Sequence, residues 1–255
     1  MPAFLAREGA VLHHAFAPGA GRAAVLLNSL GTDFRIWDAV VDALPKGTPV
    51  LRMDKRGHGL STGEATTLAE LADDAAALMD RHGVAGAVVC GVSVGGLIAQ
   101  ALALRRPELA HALVLSNTGL GIGDAALWER RIACVLTDGL EAMADGVMER
   151  WVSPAFRESR PAELAGLRAM LARQSPRGYA AVCAVLRDAD LTADAPFIAQ
   201  PALCLAGTLD GATPPDVVQA LAAALPAGRY REIAGAGHLP CLEAPGAVAE
   251  AILEM

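Results

Sequence analysis

Short apolar runs bounded by glycine and proline alternate along the chain with longer segments whose apolar residues recur every three or four positions. The first kind suits strands of a buried sheet, the second amphipathic helices. Residues 3–7 and 10–16 flank Glu8-Gly9 and predict a hairpin. Further strands are predicted at 23–28, 48–54, 111–116, 201–207 and 228–233, with another in the run that begins at Ala87. Helices are predicted at 34–44, 67–81 and 243–253, and one more opens at Pro214-Pro215. The helix over 67–81 carries Glu70, Asp73 and Asp74 early and runs into His82-Gly83, where His82 is expected as a cap beside the last carbonyls. From 124 to about 196 the strands disappear. Helical periodicity and arginines take over, with breaks at Pro154, Pro161 and Pro176. The pattern predicts an α/β fold over residues 1–255: a mostly parallel central sheet flanked by helices. A helical lid, 124–196, is inserted between the strands near 111–116 and 201–207, over the strand ends where such folds bind ligands.

One stretch departs from simple alternation. Ala87 to Val92 is a β-rich run that ends in Gly91-x-Ser93-x-Gly95, and a helix-compatible run from Leu97 to Leu104 follows at once. Strand, sharp turn and helix in that order describe a nucleophile elbow. The turn holds Ser93 in a strained conformation at a helix start, and a side chain at position 91 or 95 would collide with it. The free N–H of Val94 then points at the oxygen of whatever group Ser93 attacks.

The composition, 53% hydrophobic and 19% charged, is that of a chain with a sizeable core. Its net charge is −7 and no run of Lys or Arg occurs, so nucleic acid and anionic membranes are poor partners. Five cysteines are scattered, odd in number and without a Cys-x-x-Cys pair, which favours reduced thiols over a disulfide framework. No basic segment leads into an apolar one near the N-terminus, and no uncharged run reaches membrane-span length. The expectation is a soluble, cytoplasmic protein whose oligomeric state is left open.

The six histidines separate by context. His13 and His14 lie on a predicted strand with no partner motif, His58 with Arg56 ties down a glycine turn, His82 caps a helix, and His111 begins a strand. His238 alone sits on a glycine-flanked loop, 234–240, after a late strand. Asp210 alone among the later acids directly follows a buried strand. The order Ser93, Asp210, His238 is that of one triad arrangement among several. His238 would take and return the Ser93 proton, and Asp210 would fix its tautomer. The loop Asn28-Ser29-Leu30-Gly31 leaves the first buried strand, where the second oxyanion N–H is expected, so Leu30 joins Val94 as a donor. Gly119 to Gly123 lacks the Gly-x-Gly-x-x-Gly spacing of a nucleotide site, and no ligand spacing implies a metal. No cofactor is implied.

The stretches 28–31, 54–61 and 91–96 resemble the α/β-hydrolases. Those at 128–132, 149–154, 178–183 and 187–191 resemble, within them, the 3-oxoadipate enol-lactonases of bacterial aromatic-compound degradation. The resemblance covers nearly the whole chain. It implies serine-dependent hydrolysis of a small carboxylate-bearing lactone in the β-ketoadipate pathway. Another carboxylesterase, a C–C bond hydrolase or a cofactor-free perhydrolase of the same fold is the alternative, and a non-catalytic ligand receptor is a reading of a different class. Ser at position 93 argues against a dehalogenase, which needs Asp there. The resemblance also sets one lid face over the pocket. Trp128 and Arg131 share a helical face at a spacing of three, so Trp128 would cover the flat ring and Arg131 would pair with the substrate carboxylate.

Overall fold

The computed structural model describes residues 2–255. The predicted hairpin forms one edge of the sheet. Strands β1 (Pro2–Arg7) and β2 (Ala10–Ala17) pair antiparallel about a turn at Gly9. The rest of the sheet comprises β3 (Ala24–Leu27), β4 (Val50–Met53), β5 (Ala87–Val92), β6 (Ala110–Ser116), β7 (Ala202–Gly207) and β8 (Gly228–Ile233). The eight strands run in the order β1-β2-β4-β3-β5-β6-β7-β8. β2 is antiparallel to β4, and β3 to β8 are all parallel. Parallel strands bring their C-terminal ends to one edge. The residues that follow β3, β5, β7 and β8 therefore share that edge. The chain order reverses between β3 and β5, the crevice where open α/β sheets bind ligands.

Helices cover the sheet. A 3-10 turn, Phe34–Trp37, leads into α1 (Asp38–Ala43), so the single helix expected over 34–44 is split. Helix α2 (Leu68–His82) begins at Thr67, whose side chain accepts the Glu70 N–H, and buries Leu71, Ala75, Leu78 and Met79. Its end is closed by Gly83 at φ 64°, whose N–H reaches the Asp80 and Met79 carbonyls. The cap expected from His82 is not made. Its ring stacks on Phe16 at 4.5 Å and lies 5.1 Å from His14, because packing against β2 offers apolar surface that the solvated helix end does not. Helix α3 (Val94–Arg105) is buried from Val94 through Ala103 and packs on β5, β6 and α2.

Between β6 and β7 the chain is helical, as expected: α4 (Ala125–Asp138), α5 (Ala144–Trp151), α6 (Pro154–Ser159), α7 (Pro161–Ala172) and α8 (Pro176–Asp188). Each predicted proline break is the first residue of a helix, where a missing N–H costs nothing. Helix α9 (Pro215–Ala224) covers β7 and β8, and α10 (Pro240–Glu243) and α11 (Pro245–Leu253) end the fold, α11 packing on α1. Among the described residues, no helix is long and apolar enough to cross a membrane. All five cysteines are free, four of them buried.

The inserted helices are fastened to the sheet by backbone contact. A Cβ on Gly178, in the first turn of α8, would overlap the Cα of Gly57 in the turn after β4, and the Gly59 N–H donates to the Gln174 side chain at 2.7 Å. Gly166 of α7 has open space around it. Gly178→Ala should therefore lower unfolding stability by about 1–3 kcal/mol through overpacking. Gly166→Ala should raise it by about 0.5–1 kcal/mol through helix propensity. Urea unfolding midpoints of the two variants, moving in opposite directions, are the check.

Candidate active site

Ser93 joins β5 to α3 at φ 59° and ψ −124°. A residue with a side chain pays on the order of 1–3 kcal/mol for so unusual a backbone and keeps it only when neighbours impose it. Here they do. The Ser93 N–H donates to the Ser116 carbonyl at 3.0 Å, while the Ser93 carbonyl accepts from the Thr118 hydroxyl and the Gly96 N–H, each at 2.8 Å. A Cβ at Gly91 would overlap the Gly95 carbonyl, and one at Gly95 would overlap the Leu27 carbonyl at the end of β3.

The loop after β3 lies beside this turn. Its shape is set by the Asn28 side chain, which donates to the Thr32 carbonyl, and by the Thr32 hydroxyl, which donates to the Ser29 carbonyl at 2.8 Å. Leu30 follows on the same loop and Val94 opens α3. Among the described residues, neither N–H donates to another protein group.

Asp210 and His238 follow β7 and β8. Their side chains are hydrogen bonded, Asp210 Oδ2 to His238 Nδ1, at 2.8 Å. The same Oδ2 accepts from the Thr213 hydroxyl at 2.6 Å and the Asn117 side-chain amide at 2.8 Å, and Oδ1 accepts from the Ala212 N–H at 2.7 Å. Burial alone would push this carboxyl up. The His238 charge and the bonds from His238, Thr213 and Asn117 outweigh it and hold Asp210 down at about 2. An ionised carboxylate only accepts, so Nδ1 of His238 carries a proton and Nε2 of the neutral ring keeps its lone pair.

Ser93 and His238 line one cavity of about 210 Å³, together with Ser29 and Leu30 from the sheet edge and residues of the inserted helices. Trp128 and Arg131 are both in its wall. Trp128 is buried and donates its indole N–H to the Ile122 carbonyl at 2.5 Å, and the Arg131 guanidinium lies 5.3 Å from its ring. Arg131 is half-buried, whereas its neighbour Arg130 is exposed. Arg150 lines the same cavity at its exposed rim, where desolvation by the cavity wall and then the Arg131 charge push its pKa below the ordinary arginine range. Among the described residues, neither Arg131 nor Arg150 forms an ion pair with a carboxylate. Tyr179 is buried there and faces Arg131.

The remaining histidines stay outside. His13 bonds Asp54 at 2.7 Å, His14 is buried in the sheet, and His111 is exposed. His58 is buried with Nδ1 3.1 Å from the Arg56 carbonyl. Arg56 reaches away from the cavity to the Asp74 carboxylate at 2.6 Å. Asn117, Thr213 and Arg150 were not singled out from the sequence. Asn117 stands out only in its backbone, at φ 47°, the one positive-φ non-glycine residue besides Ser93 among the described residues. No group of three His, Cys, Asp or Glu side chains is gathered as a metal site among the described residues.

Comparison with known proteins finds relatives over nearly the full length. The chain is 34% identical over 221 residues to 3-oxoadipate enol-lactonase 2 of Acinetobacter baylyi, covering 84% of this chain and 83% of that protein. The crystal structure of an enol-lactonase from Burkholderia xenovorans superposes with a TM-score of 0.94 at 36% identity, over 99% of this chain and 98% of that one. A malate-bound thermophilic esterase from Thermogutta terrifontis superposes with a TM-score of 0.90 at 27% identity, over 100% of this chain and 97% of that one. A model of the alpha/beta hydrolase family matches residues 11–251. That match spans every strand from β2 onward and all the loops that meet at the cavity, and the chain belongs to the alpha/beta hydrolase family.

Proposed function

We propose that the protein hydrolyses a small lactone bearing a carboxylate, with 3-oxoadipate enol-lactone as its substrate and 3-oxoadipate as its product. The observation that carries this reading is the single cavity in which Ser93 and His238 stand under Trp128 and two arginines without carboxylate partners. The lactonase names of the Acinetobacter and Burkholderia relatives, and the dicarboxylate bound to the Thermogutta esterase, support it. In this reading the helices over 124–196 serve as a lid within one folding unit. A general carboxylesterase would have little use for two arginines left unpaired over the nucleophile.

Ser93 Oγ attacks the lactone carbonyl carbon as His238 Nε2 takes its proton. The N–H groups of Leu30 and Val94 hold the oxyanion, each donor being worth about 3–4 kcal/mol of barrier. When the ring C–O bond breaks, His238 returns the proton to the departing enol oxygen, and the opened chain remains esterified to Ser93. Water, deprotonated by His238, then attacks the acyl carbon, and Ser93 leaves with its proton restored. The freed enol becomes a ketone. Asp210 keeps the imidazole oriented and stabilises its charged form throughout, and Arg131 pairs with the side-chain carboxylate through its planar fork.

Ser93→Ala should reduce kcat by about 10⁶-fold while leaving the circular dichroism spectrum intact. A variant keeping a tenth of wild-type activity would remove Ser93 from the nucleophile's role. The pH profile has a definite sign. Asp210 remains ionised down to about pH 2, so it contributes no limb in the working range. The base, His238, must be neutral in the free enzyme, so kcat/KM should fall as pH is lowered and His238 gains its proton. A flat profile with chemistry limiting would argue against His238.

Substrate choice is tested through the cation. Arg131→Ala should lower kcat/KM for the anionic enol-lactone by about 10²-fold or more, because a desolvated carboxylate loses a charge-assisted partner. Hydrolysis of a neutral aryl ester should stay within a few-fold of wild type. Equal losses on both substrates would assign Arg131 to the lid's fold.

A further inference from the structure

Lys55 follows β4 and is fully enclosed, 2% exposed. The two carboxylates whose charges face it are engaged elsewhere. Asp54 accepts from the Phe34 N–H at 2.7 Å, from His13 at 2.7 Å and from the Leu60 N–H at 3.1 Å, and Asp33 accepts both arms of Arg35 at 2.9 and 2.6 Å. The Lys55 Nζ donates instead to a backbone carbonyl, that of Ser29, at 2.6 Å. Ser29 O also accepts the Thr32 hydroxyl at 2.8 Å and the Thr32 N–H at 3.3 Å, so three donors converge on one oxygen.

That carbonyl belongs to the same peptide unit as the Leu30 N–H. In a trans peptide the C=O and N–H bonds point in opposite directions across a rigid plane. Pinning the oxygen on the core side therefore fixes the hydrogen on the other side, and Ser29 and Leu30 line the cavity with Ser93. A cation at the oxygen also draws electron density along the amide and makes its N–H a stronger donor. We propose that Lys55 is a positioning residue for the hydrolysis: through the Ser29 carbonyl it orients and polarises the Leu30 N–H toward the developing oxyanion. This rests on the reading of Leu30 as an oxyanion donor.

The ammonium is there at a cost to the fold. Burial brings Lys55 down to about 7, against the opposing pull of Asp54 and Asp33, and the nearby His58 adds a titratable neighbour in its own turn. In an unfolded chain a lysine titrates near 10.4. Below about pH 7 both states are charged and the native state carries the full desolvation cost. As pH rises above about 7 the native state releases its proton first, so stability rises toward about pH 10. A methionine would fill the same volume without that charge. The charged group therefore opposes stability, and its hydrogen bond is directed at the cavity wall.

Three measurements on Lys55→Met and Lys55→Gln test the role: steady-state hydrolysis of 4-nitrophenyl acetate, inhibition by an aryl trifluoromethyl ketone that forms a tetrahedral adduct with a serine, and urea unfolding. Deleting a whole oxyanion donor costs about 10²–10³-fold in kcat, so loosening one should lower kcat by about tenfold or more in the methionine variant. KM should stay within about threefold, and the ketone should bind more weakly by the same factor as kcat/KM. The glutamine, still a donor but uncharged, should recover part of the loss. The urea midpoint of Lys55→Met at pH 7 should equal or exceed that of wild type and lose its rise with alkaline pH. Wild-type kcat and ketone affinity in a folded Lys55→Met would overturn the role. So would a fall in kcat matched by loss of folding in both variants, which would make Lys55 structural. A wild-type enzyme that hydrolyses the ester yet does not bind the ketone would instead remove the oxyanion hole itself, and the Lys55 role with it.

Discussion

The contact on which the site depends is the backbone touch between Gly95 and the Leu27 carbonyl, where the first turn of α3 sits on the end of β3. β3 and β5 are neighbours in the sheet, with Leu27 opposite Gly91. Only a glycine lets the helix that follows β5 come down onto the neighbouring strand. That approach sets the loop 28–31, with the Leu30 N–H, beside the start of α3, with the Val94 N–H, next to the cavity that Leu30 and Ser93 line. Any side chain at position 95 would lift the helix, part the two amides and turn Ser93 away from His238. The strain at Ser93 is thus one consequence of packing that the whole sheet enforces, through Ser116, Thr118 and the strand register.

Electrostatics divides the molecule. The chain carries a net charge of −7, yet Arg131 and Arg150 meet at the cavity without carboxylate partners and Lys55 lies behind its wall. At physiological ionic strength, fields from the outer carboxylates fade over about 8 Å, whereas charges in a partly enclosed cavity are screened far less. The arginines therefore dominate what a bound molecule feels, and the acidic exterior does not keep an anion from them. Asp210 is the carboxylate bonded to His238, and five donors, including the Thr213 N–H at 3.2 Å, hold its charge in place. On the proposed reading, hydrolysis adds a second carboxylate to the molecule in the cavity. It forms beside the serine and close to Asp210, where repulsion favours departure of the product.

Much of this was legible in the sequence because the relevant signals are local. Gly91-x-Ser93-x-Gly95 between an apolar strand and a helix fixes the elbow by sterics alone, and the structure has the turn at that residue. Asp210 and His238 stood out by following predicted strands, and the helical insertion by its change of period and its prolines. What escaped depends on contacts distant in the chain. Asn117 bridges Asp210 and the Gly237 carbonyl across separations of 93 and 120 residues, and nothing around it in the sequence distinguishes it from an ordinary loop asparagine. Arg150 is one of several arginines in the inserted helices, and its place in the cavity wall depends on how those helices pack and not on the residues around it in sequence. His82 failed as a cap for the same reason: the helix-end pattern is local, while the aromatic surface of Phe16 that captures its ring comes from another strand.

The insertion and the loop that carries His238 are mechanically one piece. The Glu243 carboxylate at the end of α10 accepts the Gly237 N–H at 2.7 Å and the Ser153 N–H at 3.0 Å, and the Leu239 N–H donates to the Trp151 carbonyl at 3.0 Å. The residues on either side of His238 are therefore tied to the α5–α6 junction, close to the wall that carries Arg150 and Trp151. A free flap over the strand ends could drift without disturbing the imidazole. This one cannot, because displacing α5 pulls on the loop that aims His238. Changes in the insertion that retune the cavity for another substrate must then act on rate as well as on fit, unless they leave the Ser153 and Trp151 anchors where they are.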